Sequence, residues 1–211
     1  MTLQNESFSV EVTKLSGVEF SAEKEGTYDF FKEVEEIENP DLVGVLKIQV
    51  NNTEKNYTFA LVGCYLSNED AVVLNGDILT VLQDDMITQI DLSKGEIVRS
   101  IRFDLTGTGD GLFEVEGGFI VRGESEIVKL DTDLKVIWRF SGRDIFYLPS
   151  GENAFEMCEN SIKLRDFLGY HYEIDYDGKL IFEFPPAEDE VAAQIAEKYD
   201  SESLLDKKRG V

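Results

Sequence analysis

Histidine is nearly absent from this chain: among 211 residues His171 is the only one. Any Ser-His-Asp triad or Cys-His dyad would have to use it, yet it sits in the alternating segment Gly169-Tyr-His-Tyr-Glu, which reads as a strand with His171 turned to solvent or a neighbouring strand. Cysteine is almost as scarce. Cys64 and Cys158 lie far apart in apolar runs without metal-ligand spacing, so they read as small buried hydrophobes rather than as a disulfide or half of a zinc site. No apolar run is long enough to span a bilayer, and residues 1–15 lack a basic segment followed by an apolar one. The expectation is a soluble cytoplasmic protein with no membrane contact.

Positive charge is the largest deficit. Lys and Arg number 20 against 43 Asp and Glu, a formal charge of −23. The acids are spread along the chain: 14 against 5 bases in residues 1–70, 22 against 11 in 71–184 and 7 against 4 in 185–211. A surface of that sign repels phosphate backbones and anionic lipid, which argues against nucleic-acid binding and favours a basic protein partner. The alternative reading of the charge is simple solvation. With 42% hydrophobic residues, the chain has enough apolar surface to offset the entropy of ordering, so wholesale disorder is excluded.

What is present is a repeat. Three stretches place an aliphatic residue before an Asp, then a turn, then a second apolar run: Asp91-Leu-Ser-Lys-Gly95-Glu-Ile-Val98, Asp131-Thr-Asp-Leu-Lys-Val-Ile-Trp138 and Asp175-Tyr-Asp-Gly178-Lys-Leu-Ile-Phe182. The Asp residues are 131−91 = 40 and 175−131 = 44 positions apart, the length of one four-stranded propeller blade.

Strands are expected at 71–74, 77–83, 86–91 and 96–103 in a first unit (71–103), and at 112–115, 118–121, 126–131 and 135–140 in a second (112–140). The third (144–184) takes 144–148, 154–158, 161–175 broken near Gly169, and 179–184. Turn formers such as Asn75-Gly76, Lys94-Gly95 and Asp177-Gly178 punctuate them. Residues 1–66 read as a degenerate first blade with strands at 8–13, 18–20, 42–50 and 55–66. A short inserted helix is expected over 27–38, because Tyr28, Phe31, Val34 and Ile37 recur at a three-residue interval and Asn39-Pro40 would stop it. Beyond Pro185-Pro186, Val191, Ile195 and Tyr199 form a stripe that predicts an amphipathic C-terminal helix, followed by a loose tail to residue 211.

The run Ile-Asp-Leu-Ser-Lys-Gly-Glu-Ile-Val resembles the outer-strand signature of the PQQ-enzyme-type, or quinoprotein-like, β-propeller repeat. Trp138 stands at the position of that family's Trp, with Val98 and Phe182 in its place in the other copies. The resemblance covers about residues 71–184 and implies that the bulky residue docks one blade against the next. The family's dehydrogenases bind a quinone beside a calcium site, and no residue here carries over for either. Three blades cannot close a ring. Residues 1–66 could complete four, self-association could complete it, or the sheets could form an open fan or sandwich, and the strand count favours four.

No motif assembles an active site. Asp104-Leu-Thr-Gly-Thr-Gly-Asp-Gly111 alternates oxygen-bearing side chains as a calcium loop does, but Val115 stands where the loop needs a bidentate Glu, so a connecting loop is the simpler reading. No Lys-Ser or Lys-Thr follows its glycines to make a phosphate cradle. Among 43 carboxylates no spacing singles out a glycosidase pair. Glu33, Glu35, Glu36 and Glu38 are either the solvated face of the expected helix or an acidic docking surface. The favoured expectation is a non-enzymatic, all-β interaction module without cofactor or metal that engages a basic protein, a toxin-neutralising immunity protein being one version. The alternative is a hydrolase using carboxylates in a propeller cleft, and a third is an accessory domain with no ligand of its own.

Overall fold

A computed structural model describes residues 1–16, 28–33, 44–51, 56–63, 71–148 and 150–186. They form seventeen strands in four sheets and contain no α-helix. The first sheet has the order β1-β2-β4-β5-β3, with β1 Thr2–Gln4, β2 Ser9–Ser16, β3 Phe30–Glu33, β4 Gly44–Asn51 and β5 Asn56–Gly63. Each of the other three is a four-stranded antiparallel meander in simple chain order, the connectivity of a propeller blade.

The second sheet is β6 Val72–Asn75, β7 Ile78–Gln83, β8 Met86–Asp91 and β9 Glu96–Arg102. The third is β10 Gly109–Val115, β11 Gly118–Gly123, β12 Glu126–Asp131 and β13 Val136–Ser141. The fourth is β14 Phe155–Met157, β15 Ile162–Arg165, β16 His171–Ile174 and β17 Leu180–Phe184. The described residues are therefore all-β, with sheets of the propeller-like kind.

Burial falls from the middle strands outward. β7, β8, β11 and β12 are almost wholly buried, whereas of the fourth strands β13 and β17 are largely exposed and β9 alternates between half-buried and exposed. β5 shows why its sequence is a continuous apolar run rather than an alternation. Phe59 and Leu61 join the main core with Val10, Ile48, Leu79, Ile87 and others, while Ala60 and Val62 on the opposite side pack with Tyr28. A strand buried on both faces has no solvent side to mark with polar residues.

The contacts divide the chain into two compact units, Met1–Gly123 with Ile127–Ile137, and Glu124–Glu126 with Trp138–Val211. In the first, the main cluster runs from Phe8 to Leu134. In the second, Phe140, Phe146 and Tyr172 meet ring to ring at 5.6–6.5 Å, and a β-carbon at Gly142 would lie 3.0 Å from the Phe146 ring.

Two expectations are corrected. Phe30–Glu33 is a strand, not part of a helix, and runs parallel to β5 with Phe30 opposite Phe59 and Glu33 opposite Val62. The free edge of β5 offers a full ladder of backbone partners to an Asp-Phe-Phe segment of high β propensity, and that non-local gain outweighs a three-residue periodicity. The rest of the expected helix, 34–38, and the expected C-terminal helix lie outside the described residues, as does the strand expected at 18–20. Residues 144–148 are irregular rather than a strand: Phe146 and Leu148 are buried, but their segment is tied by Phe146 N–H to Glu124 O and by Phe167 N–H to Ile145 O. The break at Gly169 splits 161–175 into β15 and β16 and restores four strands, with φ +84° at that glycine.

Candidate functional site

The three repeated Asp residues each close a turn in the same way, the carboxylate accepting backbone N–H groups two to four residues on and the carbonyl accepting the N–H of a residue with positive φ. Asp91 Oδ1 accepts Ser93 N–H at 3.0 Å, Ser93 Oγ–H at 2.7 Å and Lys94 N–H at 3.1 Å, and Gly95 N–H bonds back to Asp91 O at 2.8 Å. Asp131 Oδ1 accepts Lys135 N–H at 2.8 Å, with Leu134 N–H returning to Asp131 O. Asp175 Oδ1 accepts Asp177 N–H at 3.0 Å and Lys179 N–H at 2.8 Å, with Gly178 N–H returning to Asp175 O. The closing residues Gly95, Leu134 and Gly178 all take positive φ, at 70°, 62° and 78°.

A carboxylate is the acceptor best suited to gather such donors, and a left-handed residue lets the chain reverse. Leu134 adopts that conformation without being glycine, at a cost of about 1–2 kcal/mol, and its buried side chain holds it in the core. The Lys94 side chain bonds Asp91 Oδ2 at 2.6 Å. That bond, with those from Ser93, takes the Asp91 carboxyl down to about 2 against the opposing effect of burial.

Each turn receives a side chain from the preceding sheet. Trp138 on β13 donates its Nε1–H to Tyr176 O at 3.1 Å, one residue after Asp175. Its indole lies so close that a β-carbon on Gly178 would come within 2.5 Å of Cδ2, so this position requires glycine both for its φ and for its space. Tyr57 on β5 donates its hydroxyl to Leu92 O, one residue after Asp91. Burial, then the charges of Asp91 and Asp77, push the Tyr57 hydroxyl up to about 12. At the middle turn Arg99 on β9 approaches Asp133, with Nη2 3.5 Å from Oδ1.

Strand register corrects the equivalence of the copies. Gln89 pairs with Arg99 and Ile90 with Ile97, so Val98 is the extra residue of a bulge, as Ile181 is between Glu173–Phe182 and Ile174–Leu180. The first turn is one residue longer than the others, which places Arg99, not Val98, at the position of Trp138 and Phe182. Val98 is 56% exposed. Phe182 has the same place on β17, and no described turn follows it to receive it: the ring is 52% exposed and stacks on Phe184 at 5.9 Å.

Of the acidic cluster, Glu33 is the last residue of β3, and Glu35, Glu36 and Glu38 lie outside the described residues. A cleft of about 360 Å³ opens between the second and third sheets, lined by Asn75, Thr80, Gln89, Glu114, Phe119 and Thr132 among others. Glu114 is its one carboxylate and accepts a hydrogen bond from the Asn75 amide. His171 is exposed at the start of β16, Cys158 is an unbridged half-buried thiol, and Cys64 lies outside the described residues. Among the described residues no three His, Cys, Asp or Glu converge as a metal site, and no helix is long and apolar enough to cross a membrane.

The segment read as a connecting loop ends in β10, where Gly109 N–H bonds Asp84 Oδ1 at 3.3 Å and a β-carbon on Gly109 would meet the Asp84 carbonyl. Asp166, fully buried, accepts the Tyr172 hydroxyl at 2.6 Å, Tyr170 N–H at 2.9 Å and Arg143 N–H at 3.2 Å. Burial, then that bond, raises the Tyr172 hydroxyl, and the bonds to Asp166 tie the Arg143 and Tyr170 backbones to β16. Asp166 closes the same kind of turn as Asp131 and Asp175, with Asp166 N–H bonding Tyr170 O at 3.0 Å and Gly169 N–H returning to Asp166 O at 2.9 Å, so its Asp-x-x-Gly spacing is a local signal the repeat reading missed; Tyr57 has none, because its partner is set by tertiary packing.

No family model matches the chain, and no curated protein does. Among solved structures, the computationally designed Ika8 protein matches at TM-score 0.49 and 10% identity over 70% of this chain and 48% of that one. BamB from Moraxella catarrhalis matches at 0.47 and 9% over 88% and 52%, and the dihydro-heme d1 dehydrogenase NirN in complex with DHE at 0.45 and 14% over 73% and 37%. The chain thus spans about half or less of the length of these structures. BamB and NirN are β-propeller proteins. Likenesses this distant carry no function, and the propeller-like character of the chain rests on its own strand order.

Proposed function

We propose that this protein is a non-enzymatic, acidic protein-interaction module, built on PQQ-type repeats without their cofactor chemistry, whose partner is a basic protein. One observation carries this reading: even if every Lys and Arg were paired within the chain, 43−20 = 23 carboxylates would have no cation of their own. Such a surface accelerates encounter with a cationic partner and discriminates against anionic ones. Exposed acids on the described surface include Glu114 and Glu116 beside the β10–β11 turn, and Glu152, Glu156 and Glu159 around β14. A toxin-neutralising immunity protein is the concrete version, with carboxylates occupying a basic enzyme's phosphate-binding surface.

The hydrolase alternative needs two carboxylates facing each other across a cleft, and the described cleft offers Glu114 alone. The test is capture of basic proteins on the immobilised chain at low and high salt, with charge reversal at Glu33, Glu35, Glu36 and Glu38 in one variant and at Glu114 and Glu116 in another. The reading expects salt-sensitive binding weakened by at least one of the two variants. Binding indifferent to salt and to both would refute it.

A further inference from the structure

The face of the fourth sheet that carries Phe182 differs from its counterpart in the second sheet in a way that specifies what can cover it. Residues directly opposite on antiparallel strands share a face. In the second sheet the positions in register are Thr80, Gln89 and Arg99 in one row and Leu82, Ile87 and Ile101 in the next. Leu82 and Ile87 are fully buried in the main core. In the fourth sheet the rows are Glu156, Lys163, Glu173 and Phe182, then Arg165, His171 and Phe184. The apolar centre of the blade face is replaced by an arginine and an imidazole. Phe182 and Phe184 remain 52% and 58% exposed on the outer strand.

Another sheet with the apolar face of the second would strand Lys163 and His171 against hydrocarbon and desolvate the Arg165–Glu152 pair, at a cost that two phenyl rings do not offset. A surface that brings its own rings and its own charges of both signs avoids this. The patch holds two cations, Lys163 and Arg165, the second paired with Glu152 at 3.4 Å, two carboxylates of its own, Glu156 and Glu173, and two rings, so its formal sum is zero, or −1 with Glu152 counted, in a chain of −23. It is a place where a second copy can approach without opposing carboxylate to carboxylate, and a two-fold axis would set ring against ring and cation against carboxylate.

We propose that the outer face of β14–β17 is a self-association surface whose occupant is the same face of a second copy, the two sheets packed face to face. Four strands at about 4.8 Å spacing and three to five residues long give a patch of roughly 250 Å² in plan per copy, well below the ~800 Å² per partner of a standard stable interface. The association is therefore weak and concentration-dependent, in the micromolar range or above.

Sedimentation equilibrium of the full chain from the micromolar to the submillimolar range, at low and high salt, tests this. The proposal expects a monomer–dimer equilibrium that is unchanged or strengthened by salt, since screening relieves the repulsion between two −23 chains. Phe182→Asp with Phe184→Asp should weaken it about tenfold or more, and Lys163→Glu should weaken it at low salt only. Both changes are on the surface, and unaltered circular dichroism verifies the fold. A chain monomeric throughout overturns the proposal, and protection of the 180–184 amides from exchange in that monomer would show that the chain's own residues cover the face. Dimerisation indifferent to the Phe changes overturns it as well. Binding to a basic partner weakens with salt, so the two readings fail independently.

Discussion

The junction at Trp138 and the junction at Arg99 use one backbone device with opposite chemistry. In both, a residue on the fourth strand reaches the Asp-anchored turn of the next sheet. Trp138 places an indole against Gly178 and donates to a carbonyl at 3.1 Å, whereas Arg99 meets Asp133 at 3.5 Å with the carboxylate 61% exposed. An indole in a fitted slot removes apolar area from water and fixes a geometry. An exposed ion pair does little of either, since solvent screens it and two long side chains lose freedom. The repeat therefore conserves the shape of the turn within this chain, and leaves the strength of each junction to the side chain that enters it.

Trp138→Ala should have the largest effect, a loss of about 3 kcal/mol, at the low end for a large aromatic because the ring is only half-buried; chemical denaturation measures it. Gly178→Ala should follow at about 2 kcal/mol, combining a left-handed alanine with a β-carbon driven into the indole. Tyr57→Phe keeps the ring in the core and removes its donor to Leu92 O, for a loss of about 1 kcal/mol. Arg99→Ala should cost less than about 0.5 kcal/mol, and a loss as large as that of Trp138→Ala would erase the contrast between the junctions.

A pH dependence tests the turn's own anchor. Asp91 has its carboxyl lowered from 3.8 to about 2, so its contribution is complete above pH 4 and is lost as pH falls from 4 towards 2. Asp91→Asn should therefore flatten the acid side of the stability profile. An unchanged acid limb would mean that the Lys94 and Ser93 bonds do not form in solution.

The second and third sheets were legible because local chemistry marks every bend: Asn75-Gly76, Lys94-Gly95 and Gly117-Gly118 sit at turns and take positive φ at the glycines. Phe30–Glu33 was not, since its partner on β5 is 29 residues away and periodicity sees only neighbours. The copies were aligned one residue off at Val98 because the turn after Asp91 is longer by one, a shift that spacing from the Asp hides and strand register exposes. Trp138 could be singled out as a docking residue through its motif. Tyr57 could not, as its partner Leu92 lies 35 residues away, whereas Asp166 shares the Asp-x-x-Gly spacing of the turn at Asp175. The exposed row on β17 was written in the sequence as an ordinary apolar strand, and only the absence of a described turn facing Phe182 distinguishes it from β13.

The most direct test of docking by an aromatic onto an Asp-anchored turn is a double-mutant cycle of Trp138→Ala and Gly178→Ala, read by denaturant unfolding. With the indole gone, the alanine at 178 keeps only its backbone strain, so its cost should fall by about 1 kcal/mol or more relative to the wild-type background. An equal cost in both backgrounds would mean that the indole and the turn do not touch, and would contradict the account.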